Sequence, residues 1–479
     1  MNPIQVGLLG IGTVGAGTFN VLKRNQQEIR RRAGRGIDIT VVAARNRARA
    51  EELIGNHPGG ACRIVDDVFA VVDDPSVEIV VELIGGTALA RELVLRAIAN
   101  GKHVVTANKA LIAHHGNEIF AAAQARGVMV AFEAAVAGGI PIIKALREGL
   151  SANRIESVAG IINGTTNFIL SEMRDKGLDF ATVLAQAQAL GYAEADPTFD
   201  IEGVDAAHKL SIMAAIAFGI PMQFDKAHVE GISTLQARDI RYAEQLGYRI
   251  KLLGITRRTV VDGVEGISQL QARDIRYAEQ LGYRIKLLGI TRRVKTESGE
   301  GIELRVHPTL IPSSRLIANV EGAMNAVLVQ ADAVGASLYY GKGAGAEPTA
   351  SSVIADLVDV TRLATVDPYC RVPHLAFQPN ELTDVAILPM AEISTCYYLR
   401  VYVIDQLGVM ADLTRILADA GISIDAVLQK EPGEGETRTD IIMLTHQTQE
   451  KKVDAAIREI EGLPAVVGSV TKIRLENLS

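Results

Sequence analysis

Gln5-Val6-Gly7-Leu8-Leu9 is a short apolar strand that runs straight into Gly10-Ile11-Gly12-Thr13-Val14-Gly15, and the following residues, AGTFNVLKRN, have helical spacing. This order of strand, glycines and helix constrains the fold more than any other feature of the chain. A G-x-G-x-x-G run alone is a weak signal; between a strand and a helix it is the fingerprint of a dinucleotide site. Gly10 permits the tight turn, Gly12 lets a pyrophosphate approach the backbone, and Gly15 lets helix and strand pack closely. The free N–H groups at the helix start hold the phosphates. Gly10, Ile11, Gly12, Thr13, Val14 and Gly15 are therefore the expected cofactor contacts.

The segments that follow keep alternating. IDITVVAARNR (37–47) is the second strand. An NAD-selective site would end it with Asp or Glu on the ribose hydroxyls. Here it ends in Arg45-Asn46-Arg47, and the cationic Arg45 and Arg47 suit a 2′-phosphate, so NADP is favoured with NAD as the alternative. VEIVVELIGG (77–86) reads as a buried parallel strand ending in glycines, and ALARELVLRAIANG (88–101) as an amphipathic helix with a glycine stop. KHVVTANKALIA (102–113) and GVMVAFEAAVAGGIP (127–141) each supply a further strand and turn. The alternation predicts an α/β, Rossmann-type doubly wound parallel sheet over residues 1–140, completed by about 336–365. Ligands of such sheets sit at the carboxyl ends of the strands. Gly85 and Lys109 lie at such ends, and Lys109 is expected to point toward the cofactor crevice.

Residues 191–210, GYAEADPTFDIEGVDAAHKL, crowd Glu194, Asp196, Asp200, Glu202, Asp205 and Lys209 into one segment. The acidic part reads as a loop and the tail as a helix from Gly203 onward. On that helix Asp205 and Lys209 are four apart and can meet as an ion pair. The helix continues as SIMAAIAF, almost wholly apolar. A lysine near the start of so apolar a helix, beside several carboxylates, is placed to carry a proton. RIESVAGIINGTTNFIL (154–170) reads as strand, polar turn and helix start, with Asn163, Gly164, Thr165 and Thr166 able to cap the helix and offer donors to a substrate. Gly341 to Ala346 is a second glycine turn feeding a helix, either another anion or cofactor contact through Gly343 and Gly345 or a simple helix entry.

Composition narrows the class. A net charge of −7 argues against a nucleic-acid partner. No apolar run reaches membrane-spanning length, and Met1-Asn2-Pro3 leads directly into the first strand with no room for a signal peptide, so a cytoplasmic enzyme with no membrane partner is expected. Cys62, Cys370 and Cys396 are scattered and form neither a disulfide framework nor a zinc pattern.

GIGTVG, VELIGG, TANKAL, NGTTNFIL, GYAEADPTFDIEGVDAAHKL, RVHPTLIP and GKGAGAEPTASSV together resemble bacterial homoserine dehydrogenase, over roughly residues 4–365. The resemblance implies reversible NAD(P)-dependent interconversion of L-homoserine and L-aspartate 4-semialdehyde, on the route to threonine and methionine. It implies Lys209 as the acid/base at the substrate oxygen, with Lys109 assisting near the nicotinamide and the hydroxyl. Glu194 and Asp200 would bind the substrate's amino group, Asp205 would hold Lys209, and Gly191, Tyr192 and Thr165 complete the expected substrate contacts. It also implies a monovalent cation such as sodium at FEAAVAGGIP, held by Glu133 and the backbone of Val136, Gly138 and Ile140. Residues 141–335 would form an α+β substrate-binding and dimerisation domain, in a homodimer or homotetramer.

The last ninety or so residues read as a separate module. YYLRVYVIDQLGVMADLTRILADAGISIDAVLQKE, TRTDIIMLTHQT, KKVDAAIREIEGL and AVVGSVTKIRLE give a βαββαβ order, which is ferredoxin-like. Asp405-Gln406-Leu407-Gly408-Val409 at its first strand–helix turn resembles ACT regulatory domains. The resemblance implies threonine as effector of residues 390–479, joined through a linker at 366–389. Deleting the module is expected to remove inhibition and keep activity.

One feature departs from the family. VEGISTLQARDIRYAEQLGYRIKLLGITRR (229–258) recurs at 264–293 with a single difference, Thr234 against Gln269. Each copy reads as strand, Ser-capped helix, strand. The second copy runs directly into RVHPTLIP and is expected to be the docked one. Two rival functions are open to the sequence. An aldehyde dehydrogenase on the same semialdehyde would need a nucleophilic cysteine beside a site motif. A catalytically impaired amino-acid sensor would tolerate losing the lysines and carboxylates, which are all present.

Overall fold

The computed structural model describes residues 2–55, 62–193, 196–233, 235–259, 284–285, 293–296, 299–429 and 437–478. The chain divides into two compact units. The first comprises Met1–Ile155, His208–Lys226 and Met324–Val385; the second comprises Glu156–Ala207, Ala227–Ala323 and Ala386–Ser479.

The first unit is built on six parallel strands, β1 (Ile4–Leu9), β2 (Ile37–Ala43), β3 (Arg63–Val65), β4 (Ile79–Glu82), β5 (His103–Thr106) and β6 (Val130–Ala131). Their order is 3-2-1-4-5-6, that of a dinucleotide-binding sheet with its crevice where the order reverses. Ile4, Val6, Leu8 and Leu9 of β1 are wholly buried, as expected of a parallel strand covered on both faces. The helix Thr13–Arg24 lies against the late helix Ala346–Leu363. At Gly17 an added Cβ would sit 2.5 Å from the Ala346 carbonyl oxygen, so the absence of a side chain allows the two helices to approach. The chain thus returns after residue 324 to finish this unit.

The second unit is one continuous sheet. Ile155–Ile161 pairs antiparallel with Tyr248–Thr259, which pairs antiparallel with Gly299–Pro312. Gly299–Pro312 then pairs in parallel with the C-terminal strand Thr471–Leu475, at Thr309 with Arg474 and Leu310 with Leu475. From there the sheet continues antiparallel through Ser394–Ile404, Arg438–Thr445 and Ile424–Gln429. With helices Val409–Asp419 and Glu450–Glu461 these strands make the expected βαββαβ module, around a core that includes Leu399, Val401, Leu413 and Val453. The module is not a detached appendage: its sheet is the continuation of the substrate-domain sheet. The segment 366–389 ends in Ala386–Ile387, which pairs with Gly301–Ile302.

The copy of the repeat beside RVHPTLIP is the first. Its Val229 pairs with Val306, its helix is Ala237–Gln245, and its strand Tyr248–Thr259 lines Gly299–Pro312. This reverses the expectation that the second copy docks. Sequence adjacency was a poor guide, because closing a longer loop between paired strands costs little. Of the second copy only Arg284–Ile285, parallel to Tyr248–Arg249, and Arg293 fall within the described residues. The helix of the first copy starts later than a Ser233 cap would place it: Gln236 is its N-cap, and the Asp239 carboxylate accepts the Gln236 N–H at 3.0 Å.

Candidate active site

At the carboxyl ends of β1, β4 and β5 the first unit forms a cradle made mostly of backbone. Gly10 has φ 94° and donates its N–H to Ala43 O. A Cβ on Gly15 would lie 2.2 Å from Gly10 O, so helix and strand meet there with no room for a side chain. A Cβ on Gly12 would meet nothing within 4 Å, although Gly12 has an ordinary φ of −68°. The three glycines thus divide as the sequence predicts into turn, open approach and close packing. Ile11 is buried; Thr13 and Val14 open the helix.

Gly85 and Gly86, both at φ 72°, follow β4. They are held by Glu82, a wholly buried carboxylate that sequence reasoning passed over. Its Oε1 accepts the N–H of Ile84 at 3.0 Å and of Gly85 at 3.3 Å, and its Oε2 accepts the Thr106 hydroxyl at 2.6 Å. Burial raises its pKa against these hydrogen bonds. Asn108 caps the helix Lys109–Arg126 through Leu111 N–H and donates to Gly86 O at 2.7 Å. Glu82 and Asn108 therefore fix the glycine turn against the helix that starts at the half-buried Lys109. The signal that could have found Glu82 is a lone acid inside an otherwise apolar strand, VVELIGG. Arg45 and Arg47 are both exposed beyond β2, and Arg47 already pairs with Glu51 at 2.9 Å.

Two further motifs of the first unit meet. A Cβ on Gly138 would lie 2.4 Å from Gly343 O, and Gly139 N–H donates to Lys342 O at 3.0 Å. Gly345, at φ 122°, is the N-cap of Ala346–Leu363. Glu133 is buried, and its two carboxylate oxygens accept one hydrogen bond each, from Ile143 N–H at 2.9 Å and Lys144 N–H at 2.8 Å. Burial, then the nearby Asp356, push its pKa up to about 7, and burial pushes Asp356 up to about 6. The carbonyls of Glu133, Gly138 and Ile140 each accept one hydrogen bond, from Val136 N–H, the Ser352 hydroxyl and Ile142 N–H. A carbonyl oxygen has two lone pairs, so each keeps one. Ala137 (φ 54°) and Gly138 (φ 52°) turn the backbone through the left-handed region. A hard cation takes oxygen ligands. The Glu133 carboxylate, with one hydrogen bond on each oxygen, and these peptide carbonyls all retain acceptor positions of that kind. Among the described residues no cluster of three acidic, His or Cys side chains could hold a metal ion.

In the second unit Asn163 organises the acidic segment. It is the N-cap of Gly164–Lys176, accepting Thr166 N–H at 2.8 Å. Its Nδ2 donates to Asp200 Oδ1 at 2.8 Å and to Asp205 Oδ2 at 2.9 Å. Thr165 Oγ1 donates to Tyr192 O at 2.7 Å and lies 3.3 Å from Asp200 Oδ2. Thr165, Tyr192, Asp200 and Asp205 are thus brought together, with Gly191 at φ 74° leading in. Glu194 lies outside the described residues. Asp200 sits on a short helix, Thr198–Ile201, rather than in a plain loop. The helix Val204–Phe218 carries Asp205 in its first turn and the buried Lys209 one turn on. Beside Lys209, His208 Nε2 lies 3.1 Å from His114 Nε2 within the first unit.

No cysteine is a nucleophile candidate. Burial pushes Cys62 up to about 11 and Cys396 up to about 12, away from the reactive thiolate, and Cys370 is an exposed residue on a 3₁₀ turn.

Comparison with known proteins gives a consistent result. The family profile described as homoserine dehydrogenase matches residues 141–263 and 256–358, its two stretches meeting within the repeated segment. The profile for the NAD-binding domain of homoserine dehydrogenase matches 10–133, and that of the ACT domain matches 397–465. The homoserine dehydrogenase of Pseudomonas aeruginosa is 57% identical over 479 residues, and that of Neisseria gonorrhoeae 54% identical over 478, each covering 100% of both chains. The crystal structure of a homoserine dehydrogenase from Thiobacillus denitrificans is 63% identical, covers 100% of this chain and 99% of its own, and superposes with a TM-score of 0.87.

Proposed function

The chain belongs to the homoserine dehydrogenase family, and from that premise we propose how its residues carry the reversible, nicotinamide-dependent interconversion of L-homoserine and L-aspartate 4-semialdehyde. The nicotinamide, when bound, exchanges the hydride. The chain's own groups bind both molecules and move the proton. Gly10 to Gly15 take the pyrophosphate on backbone N–H groups, and Arg45 takes a 2′-phosphate, favouring NADP over NAD. Arg47 contributes less, being shared with Glu51. Asp200 and Glu194 hold the substrate ammonium, and Thr165 and Tyr192 flank it.

Lys209 accepts the hydroxyl proton as the hydride leaves, and returns it in the reverse direction. Lys109 assists from the first turn of its helix, where the lysine and the positive helix end both favour the oxygen's developing negative charge. The observation that carries this reading is the helix Val204–Phe218, with Asp205 fixed by Asn163 and Lys209 buried a turn later. A monovalent cation such as sodium is proposed at the same turn, held by Glu133 and the backbone carbonyls of Val136, Gly138 and Ile140. Threonine is the proposed effector, bound at the Gly408 turn, whose backbone opens the helix Val409–Asp419 to a carboxylate. The enzyme is proposed to work in the cytoplasm as a homodimer or homotetramer; no described helix is long and apolar enough to cross a membrane.

Lys209→Ala tests the central role. A general acid–base group contributes about 10²- to 10⁴-fold, so kcat should fall by that factor while NADP binding, read by fluorescence titration, stays near the parent value. Near-normal kcat would remove Lys209 from the mechanism.

A further inference from the structure

The C-terminal strand reaches back to the substrate segment through one side chain. Arg474 is buried, and its guanidinium forks onto Glu230, with Nη1 at 2.8 Å and Nη2 at 2.9 Å from the two carboxylate oxygens. Its other edge is held by the buried Glu450. Burial alone would raise the Glu230 carboxyl, but hydrogen bonds from His228 and Arg474 outweigh it and hold it far below the usual carboxylate range. Glu230 N–H donates to Val306 O at 2.7 Å, which seats the residue on the central strand.

The next residues touch the substrate segment directly. A Cβ on Gly231 would stand 2.6 Å from Ile201 O and from Glu202 Cα, and Ile232 N–H donates to Ile201 O at 2.9 Å. On the far side of Ile201, Asp200 is tied to Asn163 and Thr165. Gly203, at φ 82°, fits between the Val306 and Val229 side chains. From Arg474 to Asp200 the links are one ion pair to Glu230, two peptide steps to Ile232, one hydrogen bond to Ile201 and one peptide step back to Asp200.

We infer that Arg474 and Glu230 are positioning residues for the substrate: through them the C-terminal module braces the segment 200–203 and sets how well Asp200 binds homoserine. This deepens the proposed site and rests on Asp200 being a substrate ligand. It also gives the module a part in substrate binding without any effector present.

The test is bisubstrate steady-state kinetics on full-length Glu230→Gln, with Asp200→Asn beside it and Lys451→Met as control, since Lys451 pairs with Glu392 on the module's exposed surface at 3.1 Å. Loss of one charged fork should raise the homoserine KM about tenfold. The cofactor KM should stay within about twofold and kcat within about threefold, the pattern of a lost ground-state contact. Amide exchange at Ile232 should speed up, while the core of Ser394–Ile404 stays protected. Lys451→Met should change nothing. If Glu230→Gln does not fold, Arg474→Lys, which keeps the charge and loses the fork, should show the same split. An unchanged homoserine KM in a folded variant, or equal rises in both KM values, overturns the inference. If Asp200→Asn raises the homoserine KM and Glu230→Gln does not, only the brace is wrong; if Asp200→Asn is silent, the substrate reading itself falls.

Discussion

The cofactor cradle of the first unit and the substrate segment of the second solve the same problem, holding a small polar ligand, with opposite materials. The cradle is backbone. Gly10, Gly12 and Gly15 act by what they lack, and the groups they free are N–H donors within one strand–turn–helix. The substrate segment is held by side chains from distant parts of the chain: Asn163 on Asp200 and Asp205, and Arg474 on Glu230. A backbone site is pre-organised by local geometry and survives most changes elsewhere. A site held by buried charges depends on every partner, because an unpaired buried charge is costly. The difference predicts that losing several of these partners at once destabilises the second unit, while single changes in either region act on that region's own ligand.

Removal of residues 390–479 breaks that comparison most severely. It would take Glu476 from the fully buried Arg305, Arg400 from the buried Asp239, and Arg474 from Glu230. The deletion also strips Gly299–Pro312 of its pairing with Thr471–Leu475, so the truncated chain should lose stability in its second unit and lose activity with it. An active, uninhibited truncated enzyme would instead bear out the reading of residues 390–479 as an independent module. Circular dichroism and turnover of the truncated protein decide it.

A smaller effect is expected at the edge of the cradle. Arg45→Ala should weaken NADP binding by about 1.5–3 kcal/mol and leave NAD binding little changed, since a charge-assisted contact to phosphate is worth about that much. Arg47→Ala should do less. Equal losses for both cofactors would show that neither arginine reads the 2′-phosphate.

The smallest expected effect is a pH dependence inside the first unit. Glu133 has its pKa raised from 4.5 to about 7. A raised carboxyl contributes stability that is fully present below pH 4.5 and is lost as pH rises through 7. Asp356→Asn removes the neighbouring carboxylate and should flatten this loss by on the order of 1 kcal/mol, read as a smaller fall in Tm between those pH values than in the parent.

The contrast also explains what could be read from the amino-acid order. The dinucleotide sheet was legible because strand, glycine turn and helix are adjacent in sequence and each glycine has one physical job. The βαββαβ order was legible by periodicity. The links from Glu82 to Thr106, from Asn163 to two carboxylates, and from Arg474 to Glu230 were not, since they span 24 to 244 residues. The docked copy of the repeat was misjudged for a related reason. Proximity to RVHPTLIP favoured the second copy, but antiparallel pairing with Gly299–Pro312 is set by the sheet and not by the shortest connection.

The most direct test of the two-material account pairs one backbone change with one side-chain change. Gly12→Ala places a methyl in open space at an ordinary φ, so the fold should be unaffected while the pyrophosphate approach is blocked. Asp200→Asn removes a charge from the substrate segment. Dissociation constants for NADP and KM values for homoserine, measured on both variants, should cross: Gly12→Ala weakens NADP with little change for homoserine, and Asp200→Asn the reverse. If both variants moved both constants alike, the division between a backbone-built cofactor face and a charge-held substrate segment would be contradicted.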